Sequence, residues 1–320
     1  MEIGLYDVDS HNYPNLALMK ISAWYKAKGD NVEFILPLKH YDKIYVSKVF
    51  GNEYSQLPNF CLQADEIVFG GTGFAITIEN GKEIYNKNLD VNLPYEIEHI
   101  YPDYSLYPEL TKDTAYGFLT RGCPNNCDFC LVSQKEGRQS IKVANLSEFW
   151  RGQKNIELLD ANLLACKDKK ELLQQLIDSK ANVNFSQGLD ARFLTVEIAE
   201  QLKQVKKKRV HFAFDFMKNE KAILKGLEIY KNIVGGEDIK RIVYILTNFN
   251  TSIEQDLYRV QKVRDLGYLP DIRIYRKSTA PQIIKDLQRW CNNRVIYRSC
   301  DFMDYVPRKD GKTIKQIYFN

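Results

Sequence analysis

The chain has 320 residues, more than one ordinary domain and fewer than three, so one large or two unequal domains are expected. Hydrophobic residues at 44% and charged residues at 27% exclude a disordered chain, and 45 Lys and Arg against 41 Asp and Glu leave a net charge of only +4. That is too weak a field for a dedicated duplex-binding protein. The start, Met1-Glu2-Ile3-Gly4, lacks the basic and apolar regions of a secretory leader, and no apolar run approaches the ~20 residues of a membrane helix. A cytoplasmic protein with no membrane association and no nucleic-acid partner is expected.

In chain order, Glu2 to Val8 reads as a strand and Leu16 to Lys28 as a helix, with Leu16, Met19, Ile21, Ala23, Trp24 and Ala27 at helical spacing. Gly29-Asp30 stops it. Strands follow at Val32 to Leu36 and Glu66 to Phe69, then a hairpin over Ile76 to Tyr85 with Asn80-Gly81 at its turn. Residues 89–113 are tyrosine-rich and broken by Pro94, Pro102 and Pro108. Such a linker should pack on a surface, because its aromatics are costly to leave in water. The expected division is a small α/β domain over 1–88, a linker over 89–113 and a large domain over 114–320.

The large domain alternates regularly. Strands are expected at Tyr116–Thr120, Ile156–Leu159, Val183–Gln187, Val210–Phe216, Ile242–Thr247 and Ile272–Tyr275. Helices are expected near Leu146–Gln153, Lys169–Ser179, Val196–Lys207, Glu220–Ile233, Ile253–Leu266 and Pro281–Asn293. Successive βα units make a right-handed parallel sheet with helices outside, and six are too few for the eight of a closed barrel. The expected fold is α/β, a partial (β/α)6 TIM-like barrel with a small N-terminal Rossmann-like domain. In Val210–Phe216 the aromatics Phe212, Phe214 and Phe216 alternate with His211 and Asp215, so the latter pair should face the lumen; Arg273 and Tyr275 repeat the alternation. These polar residues suggest a lumen that binds a substrate.

Seven cysteines are present, and three crowd into one loop: Cys123-Pro124-Asn125-Asn126-Cys127-Asp128-Phe129-Cys130, after the first strand of the large domain. Thiolates favour iron–sulfur, zinc or copper(I), and structural zinc wants a fourth ligand that no neighbouring residue supplies. The spacing Cys123-x-x-x-Cys127-x-x-Cys130, with Phe129 before the last cysteine, resembles the signature of the radical S-adenosylmethionine (SAM) enzymes over about residues 114–300. The resemblance implies a 4Fe–4S cluster on Cys123, Cys127 and Cys130, SAM on its open iron, and reductive cleavage to a 5′-deoxyadenosyl radical that abstracts hydrogen from substrate. It also implies a reductant such as flavodoxin or ferredoxin.

On the same resemblance, Phe129 and the residues at strand ends address the cofactor. Asp160 and Asn162 stand where the family carries a Gly-Gly-Glu-like stretch for the SAM amino group. Gln187, Arg192, Asp215 and Asn248 are further candidates for SAM ribose or carboxylate.

Asp9-Ser10-His11-Asn12-Tyr13-Pro14 is similar to the Asp-x-His-x-x-Gly loop of cobalamin-binding domains, but Pro14 occupies the glycine position. The reading is therefore a degenerate relative in which cobalamin is not expected and Asp7, Asp9 and His11 line the substrate side, joined there by His211, Arg273 and Tyr275. Lys206-Lys207-Lys208-Arg209 reads as a solvated helix end. The general appearance of Gly4–His11 and Phe185–Asp190 resembles radical SAM proteins of the queuine lyase group. That makes a small, nucleobase-like substrate, and a lyase of queuosine salvage, the expected activity. The rivals are a radical SAM methyl or methylthio transferase acting on RNA and a non-catalytic iron–sulfur protein.

Overall fold

The computed structural model describes residues 1–51, 55, 57, 61–79 and 82–319. The chain divides into two compact units, Met1–Ala161 with Cys166–Asn182, and Asn162–Ala165 with Val183–Asn320.

The first unit opens with β1 (Glu2–Asp7), α1 (Leu16–Ala27), β2 (Asn31–Phe34), β3 (Tyr41–Ser47) and β4 (Ala64–Gly70). Their order is β2-β1-β3-β4, all parallel. Asn15 caps α1 by accepting the Leu18 N–H at 3.2 Å, and Gly29 at φ 84° ends the turn beyond it. The helix buries Leu18 and Ile21 against Ile3 and Leu5 of β1. Strand β3 was not among the expected elements. Asp42 and Lys43 obscure its apolar pattern, yet Tyr41, Ile44 and Val46 are buried, and it pairs on both sides.

The hairpin forms as β5 (Ile76–Glu79) and β6 (Lys82–Tyr85), paired antiparallel; its Asn80-Gly81 turn lies outside the described residues. The tyrosine-rich segment folds into short helices, α2 (Tyr95–Glu98) and α3 (Pro108–Thr111). It is tied to α1 and β1: Lys20 Nζ donates to Glu98 Oε1 at 2.9 Å, Ser22 to Asp103 at 2.7 Å, and the Tyr107 hydroxyl to Asp7.

Next come β7 (Thr114–Gly117), the short antiparallel pair β8 (Thr120–Arg121) and β9 (Ile141–Lys142) around α4 (Val132–Lys135), then β10 (Asn155–Leu158), parallel to β7. The helix expected at Leu146–Gln153 is a 3₁₀ turn, Leu146–Glu148. Asn145 and Glu148 make a capping box, but Trp150 donates its indole N–H to the Gln153 carbonyl and Gly152 turns at φ 97°, which ends the winding. Helix α5 (Lys169–Ser179) forms as expected, burying Leu172, Leu173 and Leu176.

The chain passes into the second unit within β11 (Asn182–Phe185) and continues through α6 (Val196–Gln204), β12 (Val210–Ala213), α7 (Glu220–Val234), β13 (Arg241–Thr247), α8 (Ile253–Asp265), β14 (Leu269–Ile274) and α9 (Gln282–Asn292). Strands β12, β13 and β14 pair in parallel in that order. Strand β14 starts three residues before the expected Ile272 and contains Pro270; as an edge strand it tolerates the missing donor. Strand β12 ends at Ala213, short of the expected Phe216; within it Phe212 packs edge-on against Tyr230 and Tyr268, while His211 stacks on Tyr244, and beyond it Phe214 is fully buried. The fold is mixed α/β with parallel sheets, and the described strands do not close into a barrel. Among the described residues no helix is long and apolar enough to cross a membrane.

Candidate functional site

The three-cysteine loop of the first unit is anchored at its entry, at its neck and within. At the entry, Asp160 just after β10 accepts the Leu119 N–H at 3.1 Å, the Thr120 N–H at 2.5 Å and the Thr120 hydroxyl at 2.6 Å. The expected SAM-facing Asp160 is thus buried, with its oxygens spent on the strand that leads to Cys123. Burial pushes its carboxyl up to about 6, against the pull of those same hydrogen bonds.

At the neck, Arg121 lies between Glu136 (2.9 Å) and Glu98 (3.3 Å), and Glu136 also accepts the Gly122 N–H at 3.0 Å. Gly122 takes φ 85°, and a Cβ there would stand 2.1 Å from the Gln139 carbonyl oxygen, so the position requires glycine. The Cys123 N–H donates to Gly137 at 3.2 Å. Although burial alone would raise Glu98, Lys20 and Arg121 hold its carboxyl below the usual range.

Inside the loop, the Cys130 N–H bonds the Cys127 carbonyl at 2.9 Å and Ser133 donates to Asn126 at 3.2 Å. All three cysteines are part-exposed, as is Phe129. Among the described residues, no group of three or more His, Cys, Asp or Glu stands close enough together to hold a metal ion. The donor set still fits a 4Fe–4S cluster. The three thiols share one loop that is pinned at its neck, and all three are part-exposed.

Asp7 and Asp9 also hold backbone. Asp9 accepts the Val49 N–H (2.9 and 3.1 Å) and the Phe50 N–H (2.8 Å), and Asp7 accepts the Ser10 N–H and the Tyr107 hydroxyl. Of that trio, only His11 is exposed.

In the second unit, Asn162, Asp190 and Arg192 come together. Arg192 grips Asp190 through Nε at 2.8 Å and Nη2 at 2.6 Å, and Asn162 donates to the same carboxylate at 3.1 Å. Gln187 is exposed beside them in sequence, and Gly188 at φ 83° lets Leu189 bridge to β12. Asp215 accepts the Leu246 N–H at 3.1 Å, and burial pushes its carboxyl up to about 6. The Arg192 and Asp190 charges both act on it. Asn248 sits at φ 60° and donates to the Tyr275 carbonyl at 2.7 Å, while the Tyr275 ring packs edge-on against Phe249. His211 stacks on Tyr244, with Arg273 over the same ring.

Sequence reasoning missed Glu98, Glu136, Asp190, Tyr244 and Asp271. Tyr244 and Asp271 were legible, since Tyr244 stands in the alternation of Ile242 and Leu246, and Asp271 in that of Arg273 and Tyr275.

No protein-family model matches the chain, and no curated protein does. Among solved structures, that of the radical S-adenosylmethionine methyltransferase TsrM from Kitasatospora setae, with cobalamin and a [4Fe-4S] cluster bound, is similar. Its TM-score is 0.59 at 9% identity, over 85% of this chain and 74% of that one. At that identity the likeness is one of fold.

Proposed function

We propose that the chain is a radical SAM enzyme acting on a small polar substrate from a partial (β/α)6 barrel. The observation that carries the reading is the pinned loop that presents Cys123, Cys127 and Cys130, in the family's spacing, just after β8 (Thr120–Arg121). A 4Fe–4S cluster held by these three cysteines would supply one-electron reduction of SAM, the source of radical hydrogen abstraction. The chain's own part is placement. Cys123, Cys127 and Cys130 would hold the cluster, and Asp160 and Glu136 fix the loop; in the second unit, Asn162, Asp190 and Arg192 form a polar group of their own. The reductant is a flavodoxin or ferredoxin, and the compartment the cytoplasm.

For the substrate, the reading is queuine, cleaved to release 7-aminomethyl-7-deazaguanine, on the resemblance of Gly4–His11 and Phe185–Asp190 to that group. A second reading, cobalamin-dependent methyl transfer to RNA, is favoured by two observations. The structural neighbour binds cobalamin, and His11 is exposed after β1, next to the point between β1 and β3 where strand order reverses. Against it stand Pro14 and the engagement of Asp9 with the Val49 and Phe50 N–H groups.

The test is anaerobic reconstitution followed by SAM and dithionite. Release of 5′-deoxyadenosine supports the radical SAM reading, and its absence from cluster-replete protein sinks it. Stimulation by queuine favours the lyase; a bound cobalamin spectrum and methylated RNA favour the second reading.

A further inference from the structure

The second unit carries a polar sheet face built around a tyrosine. The register of β12, β13 and β14 sets Ala213 beside Tyr244 and Tyr244 beside Asp271. His211 and Arg273, two residues along their strands, share that face, opposite Phe212 and Phe214. The Tyr244 ring is clasped. The His211 ring lies parallel to it, 6° off, with centroids 5.1 Å apart, and the Arg273 guanidinium stands 4.3 Å from its centre. Arg273 Nε pairs with Asp271 Oδ1 at 3.0 Å, and Asn292 donates to that same oxygen at 3.3 Å.

The clasp holds a charge in the open. The Arg273 side chain is 56% exposed, and Ala213, on the far side of β13, is exposed as well, so this part of the face is open among the described residues. His211 Nδ1, by contrast, is buried with no hydrogen-bond partner. The charges acting on His211 are Asp271 against Arg273 and Arg209, one carboxylate against two guanidiniums. A free arginine loses rotamer entropy when it is ordered by a ligand. Here stacking and the Asp271 bond have already fixed the side chain, which is preorganisation for a ligand, since exposed cations gain little from surface pairs. A fixed guanidinium with donors to spare matches the oxygens of a carboxylate or phosphate.

We propose that this face binds an oxyanion-bearing small molecule, a carboxylate or a phosphate, with Arg273 as its charge partner and Tyr244 holding the guanidinium in place. The inference rests on the proposed function only in making that molecule the substrate.

The full-length chain, labelled with ¹⁵N-histidine, is titrated with inorganic phosphate and separately with acetate. Its four histidines give four backbone amide resonances, His211 being assigned by its loss in His211→Gln. The expected result is a saturable shift confined to His211 with at least one of the two anions, weakened about tenfold in Arg273→Gln and less in Arg273→Lys. An unchanged chemical-denaturation midpoint shows that the variants are folded. No His211 shift with either anion, or a wild-type titration in both Arg273 variants, overturns the proposal. Anion binding without deoxyadenosine release keeps this site and removes the enzymatic reading; release without anion binding does the reverse.

Discussion

Glu136 holds Arg121 at 2.9 Å with one carboxylate oxygen and the Gly122 N–H at 3.0 Å with the other. One side chain thereby closes the neck of the loop whose first cysteine is the next residue. Replacing it leaves Gly122 without its acceptor and Arg121 with Glu98 alone. Glu136→Ala should cost roughly 1–3 kcal/mol. Reconstituted iron per chain should fall to less than about half, and Glu136→Gln, which keeps an acceptor, should recover most of it. Iron assay beside a denaturant melt checks both; full iron loading in Glu136→Ala would remove the positioning role.

Cysteines divide by burial. Cys123, Cys127 and Cys130 are part-exposed, whereas Cys166 is buried, with Asp168 as its nearest polar neighbour at 3.9 Å. Each of Cys123→Ala, Cys127→Ala and Cys130→Ala should abolish cluster absorption and deoxyadenosine release while changing stability by under about 1 kcal/mol. Cys166→Ala should keep the cluster. Visible absorption after reconstitution reads all four.

Asp160 and Asp215 bind their protons more tightly folded than unfolded, since burial lifts both from an ordinary 3.8 to about 6. Their contribution is therefore full below about pH 4 and is lost as pH rises through about 6. A shift of two units is worth roughly 3 kcal/mol. Asp215→Asn, which keeps a carbonyl oxygen for the Leu246 N–H, should flatten the fall in stability between pH 4 and 7. Urea unfolding across that range tests it; an unchanged slope would refute the assignment.

Arg259 is fully buried on α8 and bonds the carbonyls of Phe214 (2.7 Å), Asp215 (3.0 Å) and Leu246 (2.7 Å), besides Asp256. Arg259→Met strands the Asp256 carboxylate and should cost about 3–5 kcal/mol. Adding Asp256→Leu should return part of that loss, because the orphaned charge goes with it. A double-mutant cycle by chemical denaturation reads the coupling.

Much of the fold was legible. Periods of two and 3.6 are local properties, so α1, α5 to α9 and the parallel strands other than β3 stand within a few residues of where apolar spacing puts them. The failures have physical causes. Strand β3 hid behind Asp42 and Lys43, and the apolar run that a capping box starts at Asn145 is cut short by the turn at Gly152. Strand β14 looked shorter than it is because Pro270 reads as a break, and only its edge position removes the objection.

The candidate site was legible as a loop and not as a network. The amino-acid sequence alone determined the spacing of Cys123, Cys127 and Cys130, their place after β7, and which face of β12 carries His211. Tertiary structure alone decided what the carboxylates do. Asp160 reaches back 40 residues to Thr120, Asp9 forward 40 to Val49, and Glu98 crosses 23 to Arg121. The reason is geometric: side-chain periodicity is written in neighbouring residues, whereas a carboxylate takes whichever N–H or cation the folded chain brings within about 3 Å.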